Sequence, residues 1–437
     1  MACGAGPNTA PATARVHGAP AARPTSFAGR APTEAEGALL DRLARQASQL
    51  RQLPRRRRVR VRIQSRAQIE AHLLSELQQD ELSQAEGLYQ ALGLLARDVN
   101  VKGLLRTVLG EQVVGYYSPP DKTLVVRDDV LPASTTARLA ETSEPMLVLV
   151  HELVHALQDQ NLGLPTEHDE PQDSDPASAL RALIEGDATL AMLGHAAAQS
   201  GIDLKVLTRN VQWSRALLQA PALPGGSALE RAPAILRVTL VSAYQDGLRF
   251  AMALYRRGGW PAVDAAHALP PQSSEQVLHF DKYERGELPD RITLPALPAL
   301  TRAGWRRIDE DSLGELELGV YLGQGTPGGY APKAAEGWSG DRVRAYRHAD
   351  GRLAAVWFTA WDDAAHAQRA ARAAQLVQDQ HAGPGAVQQR GRALLIVRGL
   401  GAAELRPVRT HFADFAASLP QAPPAGRPFP LPPKAPH

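Results

Sequence analysis

The sequence predicts an α+β chain: a larger, mostly helical part holding a small β-hairpin, followed by a small C-terminal α+β domain. Three observations predict it. Apolar residues recur at three- and four-residue steps through most of the stretch between Leu39 and Leu254, the periodicity of helices packed on a core. Period-two runs are confined to short stretches, Val59–Ile63, Val113–Tyr117 and Thr123–Val126, until they become frequent beyond residue 300. Pro/Ala-rich segments bracket the whole, so the expected organisation is a linker over 1–32, a first domain over 33–295, a second over 300–418 and a Pro-rich tail over 419–437.

Hydrophobic residues make up 44% of the chain, enough for a real core, and a formal charge of +2 sets up no strong field toward nucleic acid or an anionic membrane. No apolar run approaches the ~20 residues that span a bilayer, so no transmembrane segment is expected. Cys3 is the single cysteine, which excludes an intrachain disulfide. Cys3 lies between Ala2 and Gly4, before a Pro/Ala/Thr-rich tract. That start looks like a mature bacterial lipoprotein, and an incidental cysteine reads equally well. Membrane attachment is expected only through lipidation there, with a cell-envelope or secreted location on that reading and a cytoplasmic one otherwise.

Thr33 with Glu36 forms a capping box opening a helix whose stripe is Leu39, Leu40, Leu43 and Leu50. The run Arg55–Arg58 leads into Val59, Val61 and Ile63 and reads as the solvated flank of a strand rather than a nucleic-acid patch. Ser65 and Gln68 resemble a second capping box for helices reaching about Leu95, with Ile69, Leu73, Leu74 and Leu77 on one stripe and Leu88, Leu92 and Leu95 on another. A short helix is expected over 99–110. Val113–Tyr117 and Thr123–Val126 then read as a hairpin around the two prolines of Ser118–Lys122.

The stretch Met146–Gln160, MLVLVHELVHALQDQ, follows that hairpin. At 100° per residue His151 and His155 fall on one helical face, able to share one metal ion. Glu152 lies beside that face. Zinc lowers the pKa of a bound water toward ~7, and a neighbouring carboxylate can take its proton. The loop 161–176 carries Glu167, His168, Asp169, Glu170, Asp173 and Asp175, read as a solvated acidic loop. The helix expected over 177–199 has Glu185 and Asp187 amid apolar residues, and a metal gives such buried acids a reason. Glu185 stands 185 − 155 = 30 residues past His155, room for a loop and an antiparallel return, which makes it the preferred third ligand, with His195 as the alternative. Asp159 and Asp187 are rival carboxylates for orienting a ligand imidazole.

Residues 203–265 read as largely helical with a break near Pro221–Gly226, Val241–Gly258 being strongly amphipathic. Ser274 is placed to cap a short helix presenting Glu275, His279 and Tyr283 at four-residue steps, where His279 or Tyr283 could steady an oxyanion. Beyond residue 300, Asp341–His348, Leu353–Thr359 and Ala386–Val397 read as strands, Asp362–Gln378 and Ala402–Ser418 as helices, giving a sheet with two helices on one side. Gly337–Arg342 is expected to lie beside the cleft of the first domain. The tail 419–437 holds eight prolines and reads as disordered.

EQVVGYYSPPDKTLVV, VLVHELVHALQDQ, ALIEGDATLAM, SAYQDGLRFAMALYRRGGW, PPQSSEQVLHFDKY and GWSGDR, in that order from about 111 to 342, resemble a bacterial family of gluzincin-type zinc metallopeptidases whose members are mostly uncharacterised. The H-E-x-x-H pattern alone is moderately specific, and with a downstream E-G-[DE]-A it is strong. The resemblance implies a zincin-like core, one Zn2+ on His151, His155 and Glu185, and Glu152 as general base and proton shuttle acting on a peptide or protein substrate. The chain departs from the pattern at Asp187, where Glu is more usual, and at Phe280, where Pro is common. Two other readings remain beside a peptidase: an envelope-associated binding or scaffold protein with a structural or vestigial metal, and a zinc hydrolase acting on another amide.

Overall fold

The fold was taken from a computed structural model, which describes residues 29–76, 79–131, 143–165, 171–210, 212, 227–381 and 383–429. Helices and two small sheets alternate along the chain in an α+β arrangement. Helix α1 (Glu34–Arg51) opens on the Thr33–Glu36 capping box. Arg30 precedes it, pairing with Glu36 through both oxygens and bridging to Ile63. Order therefore begins by residue 29, earlier than the linker expected through residue 32; residues 1–28, Cys3 among them, lie outside the described residues.

Strand β1 (Arg60–Gln64) is followed by α2 (Arg66–Glu76), α3 (Gln79–Leu92) and α4 (Val101–Gln112). Gln68 and Ser65 cap each other as their spacing suggests, while the side chains of Leu74 and Leu77 lie outside the described set. Strands β2 (Gly115–Ser118) and β3 (Thr123–Arg127) form the hairpin in antiparallel register, and β1 joins β3 in parallel, so β2 is an edge. The arginine run is tied down: Arg55 and Arg58 reach Asp41 of α1, and Arg56 reaches Asn161.

Helix α5 (Glu144–Asn161) is buried from Met146 to Gln158, and α6 (Ser174–Gln199) returns against it. Helix α6 starts three residues earlier than the sequence suggests. Asp173 is its N-cap and pairs with Arg342, and Asp175 is buried in its first turn, so these two acids do not belong to a solvated loop; Glu167–Glu170 lie outside the described residues. Helices α7 (Leu204–Arg209), α8 (Ser227–Arg231), α9 (Ala234–Gly258) and α10 (Trp260–Ala268) complete this region, while the expected break at 221–226 lies outside the described residues. Leu43, Leu149, Val150, Val154, Leu183, Leu190, Phe250 and Leu254 form the core shared by α1, α5, α6 and α9.

Helices α6 and α9 pack main chain against main chain in that core. A Cβ on Gly186 would overlap the carbonyl of Gly247, and a Cβ on Gly247 would overlap the carbonyl of Ala182. Only hydrogen fits at either position. The glycine between Glu185 and Asp187 is thus there for the packing of two main chains.

The expected single helix bearing Glu275, His279 and Tyr283 is two. Helix α11 (Ser274–Leu278) is capped by the Ser273 side chain, and the backbone turns at His279, which leads into α12 (Phe280–Arg285). Ser274 has other work, accepting from Leu316 N. Four-residue steps across that bend do not share a face.

After α13 (Pro298–Arg302), strand β4 (Trp305–Asp311), α14 (Gly314–Leu322), α15 (Pro332–Ala335), β5 (Trp338–His348), β6 (Leu353–Trp361), α16 (Ala364–Gln380), β7 (Gly385–Arg390), β8 (Ala393–Arg398) and α17 (Ala402–Ser418) build an antiparallel sheet of order β4-β5-β6-β8-β7. Its two long helices lie on opposite faces, not on one. Ala367, Ala370, Ala374 and Val377 of α16 pack with Trp357, Trp361 and Ile396, whereas Leu405, Val408 and Phe412 of α17 pack with Phe358, Leu395 and Val397. The reason is legible in β6: LAAVWFTAW is apolar at successive positions, so both faces of the strand need cover. Leu88, Leu92, Val101 and Leu105 join the α16 side, so this apolar cluster draws on segments more than 200 residues apart in sequence.

Asp341 has a structural role, and the expectation for the tail changes. Asp341 of the GWSGDR stretch is buried and accepts from the Leu313 and Gly314 amides and from both Trp338 and Trp357 indoles, a structural knot at the start of α14. The tail is ordered as far as residue 429: Leu288 N donates to Pro424 O, Phe429 N donates to Glu284 O, and the Phe429 ring packs 4.5 Å from that of Tyr283. Prolines do not prevent a strap from docking when its carbonyls and an aromatic anchor find partners. Residues 430–437 lie outside the described set. No described helix is long and apolar enough to cross a membrane.

Candidate metal centre

His151, His155 and Glu185 meet where α5 and α6 cross. His151 Nε2 lies 3.0 Å from Glu185 Oε2, His155 Nε2 lies 3.5 Å from the same oxygen, and the two Nε2 atoms are 2.9 Å apart. All three residues are buried. Ligand atoms around a tetrahedral zinc with bonds of about 2.0–2.1 Å stand about 3.3 Å apart, a value that these separations bracket. Two imidazole nitrogens and one carboxylate oxygen within 4.8 Å of one another could hold a metal ion, and they match in kind the donor set of three-ligand zinc sites. His195 is buried in α6, ten residues and about 15 Å of helix beyond Glu185, and is not part of this group.

Glu152 is 1% exposed. Its Oε2 accepts from the Tyr117 amide of edge strand β2 at 2.8 Å, while Oε1 is buried with no hydrogen-bond partner among the described residues. A buried carboxylate oxygen without a donor is costly unless something polar comes to it. Burial pushes the Glu152 carboxyl up to about 8, with the Tyr117 N–H working against the shift. Burial opposes charge on His155, but the Glu185 carboxylate outweighs it and raises the imidazole's affinity for a proton; on Glu185 burial is likewise outweighed, by the two imidazoles, and its pKa falls well below the usual range. On His151 burial prevails and the pKa falls. A metal would have to displace the proton that Glu185 favours on His155, which would make its binding pH-dependent.

Neither Asp159 nor Asp187 is hydrogen-bonded to the ring of His151 or His155. Asp159 accepts from the Tyr117 hydroxyl and from Lys122 Nζ, both 2.6 Å away, and so fastens α5 to the hairpin. The side chain beside His155 is Gln158, whose Oε1 lies 2.7 Å from His155 Nδ1 and whose Nε2 donates to Ile184 O and Asp187 Oδ2. Asp187 is fully buried and salt-bridged to Arg51 of α1, and it also meets His267 Nε2 at 3.0 Å. Burial works against its charge, but Arg51 and His267 outweigh burial and hold it ionised. Arg51 in turn pairs with Asp264 and lies over the Trp260 ring. The sequence offered one signal for Gln158, its place one turn after His155; nothing singled out Arg51 or His267.

His279 and Tyr283 have other partners. His279 Nε2 pairs with Glu315 at 2.9 Å, and the Tyr283 hydroxyl donates to Leu269 O. A second carboxylate cluster, Glu275, Glu287 and Asp362, surrounds the Lys282 ammonium at 2.6–2.7 Å. That lysine supplies the positive charge the three acids need.

A family model described as a domain of unknown function (DUF8575) matches residues 301–409, the five-stranded sheet and the helices over it as far as the first half of α17. The match does not include His151, Glu152, His155 or Glu185. No curated protein and no solved structure matches the chain.

Proposed function

We propose that the chain is a zinc-dependent metallopeptidase with a zincin-like core, in which His151, His155 and Glu185 hold one Zn2+ and Glu152 is the general base. The observation that carries this reading is the convergence of three buried donor atoms within 4.8 Å of one another, beside a buried carboxylate with one oxygen uncommitted. Zinc bound there supplies Lewis acidity toward a carbonyl oxygen and lowers the pKa of a water. The protein's own part is to place and move a proton. Glu152 is anchored through Oε2 on Tyr117 N, leaving Oε1 to take a proton and later return it to a leaving amine. Edge strand β2, whose Tyr117 amide touches Glu152, supports this reading, because an extended peptide can add as a strand to an open sheet edge.

The test is metal content followed by cleavage of an unfolded protein substrate. Wild type should carry one zinc per chain and lose cleavage to a chelator. Glu152→Gln should keep zinc and lose about 10²-fold or more in rate, and Glu185→Ala should lose zinc. Unchanged cleavage by Glu152→Gln removes Glu152 from the mechanism. Zinc bound without cleavage of any peptide or other amide favours a structural metal in a binding protein.

A further inference from the structure

We infer that Gln158 is a positioning residue that fixes the ring proton of His155 on Nδ1, and so keeps Nε2 open to a metal, with Asp187 and Arg51 holding it in that orientation. The inference rests on the metal-centre reading above. Gln158 is fully buried, and the two groups on its far side, the Ile184 carbonyl and the Asp187 carboxylate, can only accept. Its NH2 must therefore face them, whichever way an amide is drawn. Its carbonyl then faces His155, and a carbonyl cannot donate. The hydrogen in the 2.7 Å contact belongs to His155 Nδ1. A neutral imidazole has one N–H, so its lone pair lies on Nε2, the nitrogen that faces His151 and Glu185.

Turning the amide over would set its oxygen against a carbonyl and a carboxylate and lose both of those hydrogen bonds at once. Arg51 fixes the Asp187 carboxylate with two nitrogens, and Arg51 is itself held by Asp264 and the face of Trp260. Orientation thus passes from α1 and α10, through Asp187 on α6, to an amide and then to a ring on α5. The neutral amide orients the ring without placing another anion against Glu185, while the anion sits one hydrogen bond further out.

Two measurements on the full-length protein test this. Zinc affinity is measured by competition with a chromophoric chelator for wild type and Gln158→Leu; a 10–100-fold weaker Kd is expected of the variant. Nitrogen-15 spectra of the histidine side chains are recorded on zinc-free protein at a pH where the imidazole is neutral. Wild-type His155 should appear with its proton on Nδ1, and in Gln158→Leu as a mixture of tautomers. A general loss of packing would not move the tautomer selectively. Wild-type His155 protonated on Nε2 overturns the inference, as does a variant with the wild-type tautomer and wild-type zinc affinity. Should Gln158→Leu fail to fold, the wild-type spectrum decides alone. Should wild type bind no zinc, the metal reading falls, and the zinc-free spectra still report whether the amide fixes the ring.

Discussion

Arg51→Met and Asp187→Asn, alone and together, probe the buried ion pair behind the candidate metal centre. Both side chains are 0% exposed. Removing one partner of such a pair leaves the other charged in a site that cannot hydrate it, at a cost of about 3–5 kcal/mol. The structure makes the two losses unequal. Without Asp187, Arg51 keeps Asp264, whose carboxylate is 37% exposed, and the Trp260 ring. Without Arg51, Asp187 keeps only the Gln158 amide and His267, whose charge depends on its protonation. Arg51→Met should therefore cost about 3–5 kcal/mol and Asp187→Asn roughly half as much. The double variant buries no unpaired charge, so it should cost less than the sum by about 2 kcal/mol. Urea unfolding at pH 7 with chelator present isolates this from metal linkage. Additivity within about 0.5 kcal/mol, or a costlier Asp187→Asn, would refute the reasoning.

Two further perturbations follow from the packing. Burial pushes the Asp175 carboxyl up to about 8, against the Ser274 hydrogen bonds and with Asp341 and Glu315 adding to the rise. The folded state then holds this proton more tightly than the unfolded chain, whose value is about 4. The stability this contributes is fully present below about pH 4 and is lost as pH rises through about 8. Asp175→Asn, which keeps an acceptor for Ser274 N, should raise Tm relative to wild type at pH 9 and change it little at pH 4; an equal drop at both values counts against the assignment. Gly186→Ala should force α6 from α9, costing about 1–3 kcal/mol or more and weakening zinc binding through displacement of Glu185; a variant with wild-type Tm and zinc affinity contradicts the close crossing.

Local signals survived translation into structure where the physics is local. The Thr33–Glu36 box, the hairpin and the two histidines on one face depend on residues a turn or two apart, and each is found where its spacing places it. Glu185 was legible as well, because a carboxylate inside an apolar helix demands a partner. What the letters could not supply was the identity of partners distant in sequence. Asp159 lies one turn past His155, yet the hairpin supplies a tyrosine and a lysine that engage it, and Gln158 takes its expected place. Asp187 answers to Arg51, 136 residues upstream. The stripe through Glu275, His279 and Tyr283 failed because one bend at His279 undoes a helical periodicity that holds only for unbroken backbone. The helices over the C-terminal sheet were assigned to one side although the uninterrupted apolar run of β6 already called for two.

The meeting of Gly186 with Gly247 has a consequence for how this protein can vary. Where two helices touch through side chains, a larger residue on one can be answered by a smaller one on the other, and the gap drifts. Here main-chain atoms abut, and no substitution can be answered in kind. The E-G-D-A and Q-D-G-L segments, sixty residues apart, behave as a single rigid joint, and the carboxylate of Glu185 inherits its position from bond lengths rather than from the fit of exchangeable parts.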